Sequence, residues 1–163
     1  MTKIPVKLRP PSPTDKEFIL SSWLKSFRNS DLANYIPNNL YYTYHGNIIQ
    51  SCLLRSFATV ACNPEDEDQV YGYLVYELLG DIFIIHYVYT KNIFRDCGIA
   101  KHMLKSVYPQ FGQAESFITH IDQTTPRITT NFKTKKPEIK RTSWFIKKRD
   151  DYKLIYNPFA LIR

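Results

Sequence analysis

A short segment, Phe94–Ala100, combines residue types that bind a phosphate-bearing ligand. It stands between an apolar run and a helical pattern, so it opens a predicted helix. The first turn of a helix leaves four amides without partners, and the aligned peptide dipoles make that end positive. Gly98 lets a ligand approach the backbone, Ala100 adds only a methyl group, and Arg95 can pair two phosphate oxygens at once. The segment therefore predicts a pyrophosphate-binding loop.

The elements around this loop follow from hydrophobic periodicity and turn residues. The apolar run Ile82–Thr90 predicts a strand that is buried on both faces. Two earlier strands are predicted over Phe57–Cys62 and Val70–Glu77, and Gly80 supplies a tight turn into the third. These three strands form a predicted antiparallel meander. The loop then leads into a helix from Gly98 to about Tyr108, which a proline ends.

The first third of the chain predicts one edge strand and two helices. Prolines on both sides of Val6–Arg9 favour a short strand at a sheet edge. Thr14–Glu17 has the pattern of a capping box, which predicts the start of a helix that ends near Asn29. A second helical pattern runs from about Asn39 to Arg55, with a kink or break expected at Gly46.

The last third carries weaker signals. Ser116–Ile121 predicts a strand, Arg127–Phe132 a weak helix, and Ser143–Lys148 with Tyr152–Tyr156 a final hairpin. Strands and helices are mixed, and a meander comes first. The predicted class is therefore α+β with a mixed sheet, organised as a single domain over residues 1–163.

Composition excludes several classes of protein. The longest strongly apolar stretch, Asp81–Tyr89, is too short to cross a membrane, and Met1–Arg9 lacks the apolar core of a secretory signal. The odd number of cysteines at unrelated spacing argues against a disulfide framework and against a zinc site. It favours a reducing compartment, so we expect a cytoplasmic protein with no bound metal and no membrane partner. The cysteines are Cys52, Cys62 and Cys97.

The net charge of +7 is concentrated in the C-terminal quarter. Residues 127–163 hold eleven Lys or Arg and three Asp or Glu, whereas residues 1–126 are nearly neutral. Such a basic region suggests an anionic partner, which could be a phosphate-bearing ligand, a nucleic acid or an acidic protein. The alternative is a solvated hairpin that only keeps the protein in solution.

One segment runs from Thr90 through Phe94, Arg95, Gly98, Ile99 and Ala100, and an apolar stripe follows it. This segment resembles the acetyl-coenzyme A site of GNAT-superfamily N-acetyltransferases. In that family Arg-x-x-Gly-x-Gly/Ala joins a buried strand to a helix. The preceding strands and paired helices also match the family's order, so the resemblance spans roughly residues 8–121. The start of the chain is similar to small GNAT-like proteins carried by bacteriophages, which would place it in the host cytoplasm.

The resemblance implies a GNAT-like fold, with a mostly antiparallel central sheet and helices on both faces. It also implies acetyl-CoA as cofactor and direct transfer of an acetyl group to an amine, of a protein or a small molecule. After residue 121 the chain departs from the family, because Asn131-Phe132 is all that remains of its usual tyrosine-bearing segment. No tyrosine acid is therefore assigned, and Thr90 stands where the family prefers valine.

Site residues carried over from the family fall into two groups. The acceptor wall would hold Tyr41, Tyr42 and His45, although tyrosine and histidine there are also ordinary packing residues. The cofactor would contact the end of the third long strand and the loop after it. Those residues are Val88, Tyr89, Thr90, Arg95, Asp96, Cys97, Gly98, Ile99, Ala100 and Lys101.

Three residues are candidates for the catalytic base that an amine acceptor requires. His86 lies on the strand beside the cofactor groove, Glu77 ends the neighbouring strand, and His120 lies on the next strand. Each has a structural alternative: a hydrogen-bonded core histidine for His86 and His120, and a solvated strand end for Glu77.

Two other functions compete with acetyl transfer. One is a GNAT-fold protein that binds a partner without catalysis, which the missing tyrosine segment keeps open. The other is a nucleic-acid-binding protein that uses the basic C-terminal region. The second is less favoured, because the chain carries no helix-turn-helix signature and no aromatic RNA-binding motif.

Overall fold

Six strands form one sheet in the order β1-β2-β3-β4-β5-β8. The computed structural model describes residues 4–28, 33, 35–120, 127–130, 137–140, 153–157 and 160, with the backbone alone for 127–130 and 137–140. Strands β1 to β4 pair antiparallel, and β5 and β8 join parallel, so the α+β class with a mixed, mostly antiparallel sheet is confirmed. The strands are β1 (Lys7–Arg9), β2 (Phe57–Cys62), β3 (Val70–Leu79), β4 (Ile82–Thr90), β5 (Ser116–Ile118), β6 (Arg127–Thr130), β7 (Pro137–Lys140) and β8 (Leu154–Tyr156).

Helices cover both faces of the sheet, as predicted. Helices α1 (Pro13–Arg28) and α2 (Gly46–Arg55) share one face, and α3 (Ile99–Val107) lies on the other. Side chains of β3 alternate between the two faces, since successive residues of a strand point in opposite directions. Leu74 therefore joins the cluster under α3, whereas Tyr73 and Val75 pack under α1 and α2.

The capping box of α1 starts two residues earlier than expected. The Ser12 hydroxyl accepts the Asp15 amide at 3.2 Å, and the Asp15 carboxylate accepts the Ser12 amide at 2.7 Å. Thr14 lies inside the helix instead. The sequence offers both patterns, and the Arg9 guanidinium of β1 decides between them because it pairs with the Asp15 carboxylate.

Gly46 does not break the second helical segment. A turn of helix, Asn38–Leu40, runs into a π-helical segment, Tyr41–His45, and α2 continues from Gly46. Gly46 is buried against α1, where a Cβ would lie 3.9 Å from Cδ1 of Leu24. The irregularity therefore takes the form of a widened turn just before the glycine.

The end of the chain differs from the sequence-based expectation. Residues 127–130 form strand β6, paired antiparallel with β7, and not a weak helix. The strand expected around Tyr152–Tyr156 is present as β8, whose described partner is β5 in parallel register. Residues 143–148, its expected hairpin partner, lie outside the described residues.

Strands β4 and β5 stay together for only three residue pairs. The register runs from Phe83 opposite Ser116 to Ile85 opposite Ile118, and the Thr119 amide adds one bond to the Ile85 carbonyl at 3.1 Å. Beyond that point β4 continues for five residues, to Thr90, and remains paired with β3. Within the described residues, the pairing of β4 with β5 thus ends well before the carboxyl end of β4, which leads into the loop before α3.

Candidate functional site

Gly98 caps the N-terminus of α3 in a left-handed conformation, with φ of 78°. Glycine adopts this conformation without strain. Among the described residues, a Cβ at Gly98 would meet no heavy atom within 4 Å, and no side chain caps the helix start. The first-turn amides and the dipole therefore face an open approach, which fits a pyrophosphate group.

The loop between β4 and α3 presents its predicted residues to solvent. Arg95, Asp96, Cys97 and Gly98 are exposed, and Asp96 also takes a positive φ of 63°. Nε of Arg95 donates to the Thr90 carbonyl at 3.3 Å, which anchors the side chain at the end of β4. Ile99 is buried under the sheet and anchors α3. Of the remaining predicted loop residues, Ala100 is half-buried and Lys101 is exposed.

The end of β4 is half-buried at Val88, Tyr89 and Thr90. Tyr89 stacks on Tyr73 at 5.3 Å on the α1 side, and Val88 packs on the α3 side. The backbone of β3 comes very close here, because a Cβ at Gly72 would lie 2.3 Å from the Tyr89 carbonyl oxygen. Glycine at that position is what lets β3 accompany β4 to its end.

His86 occupies a β-bulge of β4. Tyr76 pairs with Ile85 and Val75 with Tyr87, so His86 is the extra residue. A bulge turns two successive side chains to one face, and His86 and Tyr87 both lie on the side of α1 and α2. The side chain of His86 thereby reaches a neighbour that an ideal strand would put out of reach.

That neighbour is Glu77. Nε2 of His86 lies 2.8 Å from Oε1 of Glu77, and Nε of Arg55 donates to the same oxygen at 3.0 Å. Burial alone would raise the pKa of Glu77, but the hydrogen bonds from His86 and Arg55 outweigh it and lower that pKa. Glu77 is thus a buried carboxylate between two donors, and not the solvated strand end of the alternative hypothesis.

Two residues after β5 complete the cluster. Oγ1 of Thr119 lies 3.2 Å from Nδ1 of His86 and 3.0 Å from Nδ1 of His120. Nδ1 of His120 also lies 3.1 Å from the His86 carbonyl oxygen. The three candidate bases, His86, Glu77 and His120, are therefore brought together in one buried chain at the point where the described pairing of β4 with β5 ends.

Aromatic rings surround the outer end of this chain. The His120 ring meets Trp23 at 4.9 Å, Phe27 at 4.7 Å and His45 at 5.7 Å. Burial lowers the pKa of His120 to about 3 and that of His45 to about 4. Both imidazoles are therefore neutral at pH 7. Within the described part of the chain, Nε2 of each has no hydrogen-bond partner.

The predicted acceptor wall lies in the π-helical segment. Tyr41 is buried, donates its hydroxyl to the Leu24 carbonyl at 2.7 Å and carries the Arg28 guanidinium over its ring. Tyr42 is half exposed, and His45 stacks on Phe27 at 4.7 Å. Of the three, Tyr41 has a packing role and Tyr42 faces solvent, whereas His45 joins the ring of aromatic groups around His120.

Cys52, Glu77 and His86 offer ligand atoms within 4.8 Å of one another, which is the spacing of a metal site. Arg55 already pairs with the carboxylate, and its cation opposes a second positive charge there. Burial also raises the pKa of the Cys52 thiol, which keeps it protonated and a poor ligand. The cluster is thus better suited to moving protons than to holding a metal.

Sequence analysis missed Arg55 and Thr119. Arg55 reads as the basic residue in the last turn of a helix, which is common for reasons of the helix dipole alone. Thr119 stands beside His120 at a strand end. This pair of polar residues after an apolar run is the feature of the sequence that could have identified Thr119. Its contact with His86 depends on the bulge, which has no local sequence signature.

No protein-family model matches the chain, and no curated protein matches it by sequence. Solved structures do match. YycN of Bacillus subtilis, provisionally described as an acetyltransferase, aligns with 72% of this chain and 82% of its own at 14% identity, with a TM-score of 0.55. A GNAT-family acetyltransferase from Staphylococcus aureus Mu50 covers 63% of each chain at 15% identity, with a TM-score of 0.43.

A GNAT-family acetyltransferase from Brucella melitensis, solved with acetyl-CoA, matches 66% of this chain and 68% of its own at 19% identity, with a TM-score of 0.44. At such identities the likeness concerns the fold. Within the residues described, no helix combines the length and apolar character needed to cross a membrane. The sheet order and the structural match to YycN together show a GNAT-like fold.

Proposed function

We propose that this protein is an N-acetyltransferase that moves an acetyl group from acetyl-CoA directly to an amine. The observation that carries the proposal is the open, uncapped start of α3, which follows the end of β4 beyond its described pairing with β5. The end of β4 and the start of α3 thereby offer a strand end for the arm of the cofactor and a site for its pyrophosphate. The residues present fit acetyl-CoA, with Arg95 and the first-turn amides of α3 on its phosphates and Val88–Thr90 along its arm.

When bound, acetyl-CoA would supply a thioester, whose C–S bond breaks as the C–N bond to the neutral acceptor amine forms. The amine nitrogen then gives up one proton, and coenzyme A leaves as a thiolate that takes up a proton from solvent. An acceptor amine is mostly protonated at neutral pH, so a group of this protein has to remove protons from it. The buried chain that holds His86, Glu77 and His120 lies where the described pairing of β4 with β5 ends and can receive them. We assign the catalytic base to this cluster.

The acceptor itself is a primary amine that reaches the α1 and α2 side of the sheet. The basic quarter of the chain supports an acidic acceptor, or one with acidic surroundings, because positive charge raises the encounter rate with such a partner. Lys147, Lys148 and Arg149, which would provide that charge, lie outside the described residues. A cytoplasmic location and a single domain over residues 1–163 remain predictions from the sequence.

Coenzyme binding tests the proposal at Gly98. Gly98→Asp places a carboxylate at the open face, where it would repel the pyrophosphate, and should weaken the binding of coenzyme A at least roughly tenfold, about 1.4 kcal/mol. Gly98→Asn is the matched control, since asparagine has the same size, tolerates a positive φ and carries no charge. Calorimetric titration with coenzyme A measures both, and circular dichroism verifies the fold.

The two variants must differ for the proposal to stand. Equal affinity of Gly98→Asp, Gly98→Asn and the unaltered protein would put the coenzyme elsewhere. Absence of coenzyme binding in the unaltered protein would reject acetyl transfer altogether. Mass spectrometry of a cell lysate incubated with the protein and labelled acetyl-CoA then identifies the acetylated amine.

A further inference from the structure

The hydrogen bonds around Thr119 favour one direction when both imidazoles are neutral. The His86 carbonyl can only accept, so Nδ1 of His120 carries a hydrogen and donates to it at 3.1 Å. Glu77 is a carboxylate and also accepts, so Nε2 of His86 carries a hydrogen. Nδ1 of His86 is then an acceptor, and the Thr119 hydroxyl can donate to it at 3.2 Å or to the His86 carbonyl at 3.3 Å.

This assignment leaves one atom with an unused lone pair. In a neutral imidazole with a hydrogen on Nδ1, the other nitrogen is a bare acceptor. For His120 that atom is Nε2, which is fully buried and lacks a partner among the described residues. A buried acceptor without a partner costs about 1–3 kcal/mol, so its retention calls for a role.

We propose that Nε2 of His120 is the atom that takes the proton from the acceptor amine, and that Thr119 relays the charge to the His86–Glu77 pair. The inference rests on the proposed function, because it needs an amine that loses a proton. Thr119 is a positioning residue in this scheme. The role of Thr119 and the order of the proton transfers do not follow from the GNAT-like fold alone.

The relay balances one proton at each step. Nε2 of His120 accepts a proton from the amine, directly or through one water molecule, and Nδ1 of His120 gives its hydrogen to Oγ1 of Thr119. The Thr119 hydroxyl passes its own hydrogen to Nδ1 of His86. The result is a neutral His120, an intact hydroxyl and an imidazolium of His86 against the Glu77 carboxylate, which later returns the proton to solvent.

The relay explains how a poor base can act. His120 lies among Trp23, Phe27, Tyr87 and the neutral imidazole of His45, with no carboxylate against its ring among the described residues, so it cannot hold a positive charge. His86, in contrast, stands 2.8 Å from a carboxylate. The Arg55 guanidinium on the same oxygen limits how tightly that carboxylate holds the proton, which favours its release.

Nitrogen-15 NMR of the histidine side chains tests the assignment without any substrate. We expect the hydrogen on Nδ1 for His120, which is the less common tautomer of a free histidine side chain, and on Nε2 for His86. A hydrogen on Nε2 of His120 at rest would overturn the relay while leaving the proposed acetyl transfer standing. The spectrum therefore separates failure of this inference from failure of the proposed function.

Kinetics of Thr119 variants tests the passage of the proton. Thr119→Val removes the hydroxyl at nearly constant shape and should lower kcat roughly 100-fold. In the unaltered protein, the rate should fall on acidification because the His86–Glu77 pair becomes protonated. This fall should be absent in Thr119→Val. Thr119→Ser keeps a hydroxyl and should restore most of the rate and the pH profile. Coenzyme affinity should be the same in all three proteins.

Each other outcome has a definite meaning. If Thr119→Val turns over at the rate of the unaltered protein, or if Thr119→Ser is as slow as Thr119→Val, the relay is wrong. If the variants bind coenzyme A less well, Thr119 supports the fold of the site and does not pass a proton. If the unaltered protein neither binds coenzyme A nor transfers acetyl groups, the proposed function fails, and the relay fails with it.

Discussion

The two faces of the central sheet are built from different kinds of side chain. Under α3, the buried cluster consists of apolar and aromatic groups that fill space, such as Leu74, Phe83 and Met103. Under α1 and α2, an equally buried layer also holds an unbroken polar chain, from Arg55 and Glu77 through His86 to His120. Buried polar groups cost free energy unless each is satisfied, so they are found where chemistry or specificity needs them.

This contrast separates stability from proposed function within one sheet. The α3 face holds the sheet together and positions the exposed helix start where the coenzyme is proposed to bind. The α1 and α2 face carries the groups that can exchange protons. Substitutions on the first face should therefore change the free energy of unfolding alone, and those on the second should also make that free energy depend on pH.

The largest effect is expected from truncation on the α3 face. Phe83 is fully buried, stacks on Tyr108 at 4.8 Å and meets Phe111 edge-on at 6.3 Å. Phe83→Ala should lower the free energy of unfolding by about 3–5 kcal/mol, because it leaves a cavity that rigid neighbours cannot fill. Urea denaturation measures the loss.

The matched control is Phe57→Ala, at a phenylalanine that is 61% exposed. It should cost less than about 1 kcal/mol, since little apolar area leaves the core. Similar losses for the two variants would mean that the α3 face is not closely packed, and the contrast between the faces would weaken.

A smaller effect is expected from acid on the other face. Unfolded His120 takes up a proton near its ordinary pKa of 6.5, whereas the folded residue does so only near about 3. Between these values the unfolded state binds more protons, so the stability present above pH 6.5 is lost as the pH falls. His120 alone should lower the free energy of unfolding by about 2 kcal/mol from pH 7 to pH 5.

The contribution of His120 to this pH dependence can be distinguished from those of other titrating groups in the same layer. Burial lowers the pKa of His45 in the same direction, and the lowered pKa of Glu77 matters only at more acid pH. When urea denaturation is measured across this pH range, the free energy of unfolding should change less steeply with pH in His120→Gln than in the unaltered protein. In His102→Gln, which replaces an exposed histidine of α3, it should change with pH as in the unaltered protein. Equal slopes in all three would show that His120 is not buried as a neutral group.

The smallest effect, of opposite sign, is expected at the start of α2. Gly46 has helical dihedrals, with φ of −58° and ψ of −47°, and a Cβ there would lie 3.9 Å from Leu24, at ordinary contact distance. Gly46→Ala should therefore raise the free energy of unfolding by up to about 1 kcal/mol, as alanine favours helices.

The opposite outcome is expected where β3 meets β4. Gly72→Ala should be strongly destabilising, because its Cβ would lie 2.3 Å from a backbone oxygen that cannot move aside. Thermal unfolding of the two variants measures the difference. A destabilised Gly46→Ala would show that the helices on this face tolerate no added methyl group, in contrast to the space seen beside Leu24.

Local patterns determined much of this protein. The apolar run of β4, the turn at Gly80 and the stripe of α3 depend on neighbours in sequence, so the meander and the loop at Gly98 were predictable. The same holds for the α+β class. His86, Glu77 and His120 could be named as candidates because few other side chains titrate near neutral pH.

Tertiary structure decided which of several local options prevailed. Arg9 selected the cap at Ser12 over the one at Thr14, and pairing with β7 made residues 127–130 a strand. The partners of His86 depend on a bulge and on a parallel strand that lies more than thirty residues later in the chain. Such contacts are set by strand pairing between distant segments, and periodicity within one segment carries no information about its partner.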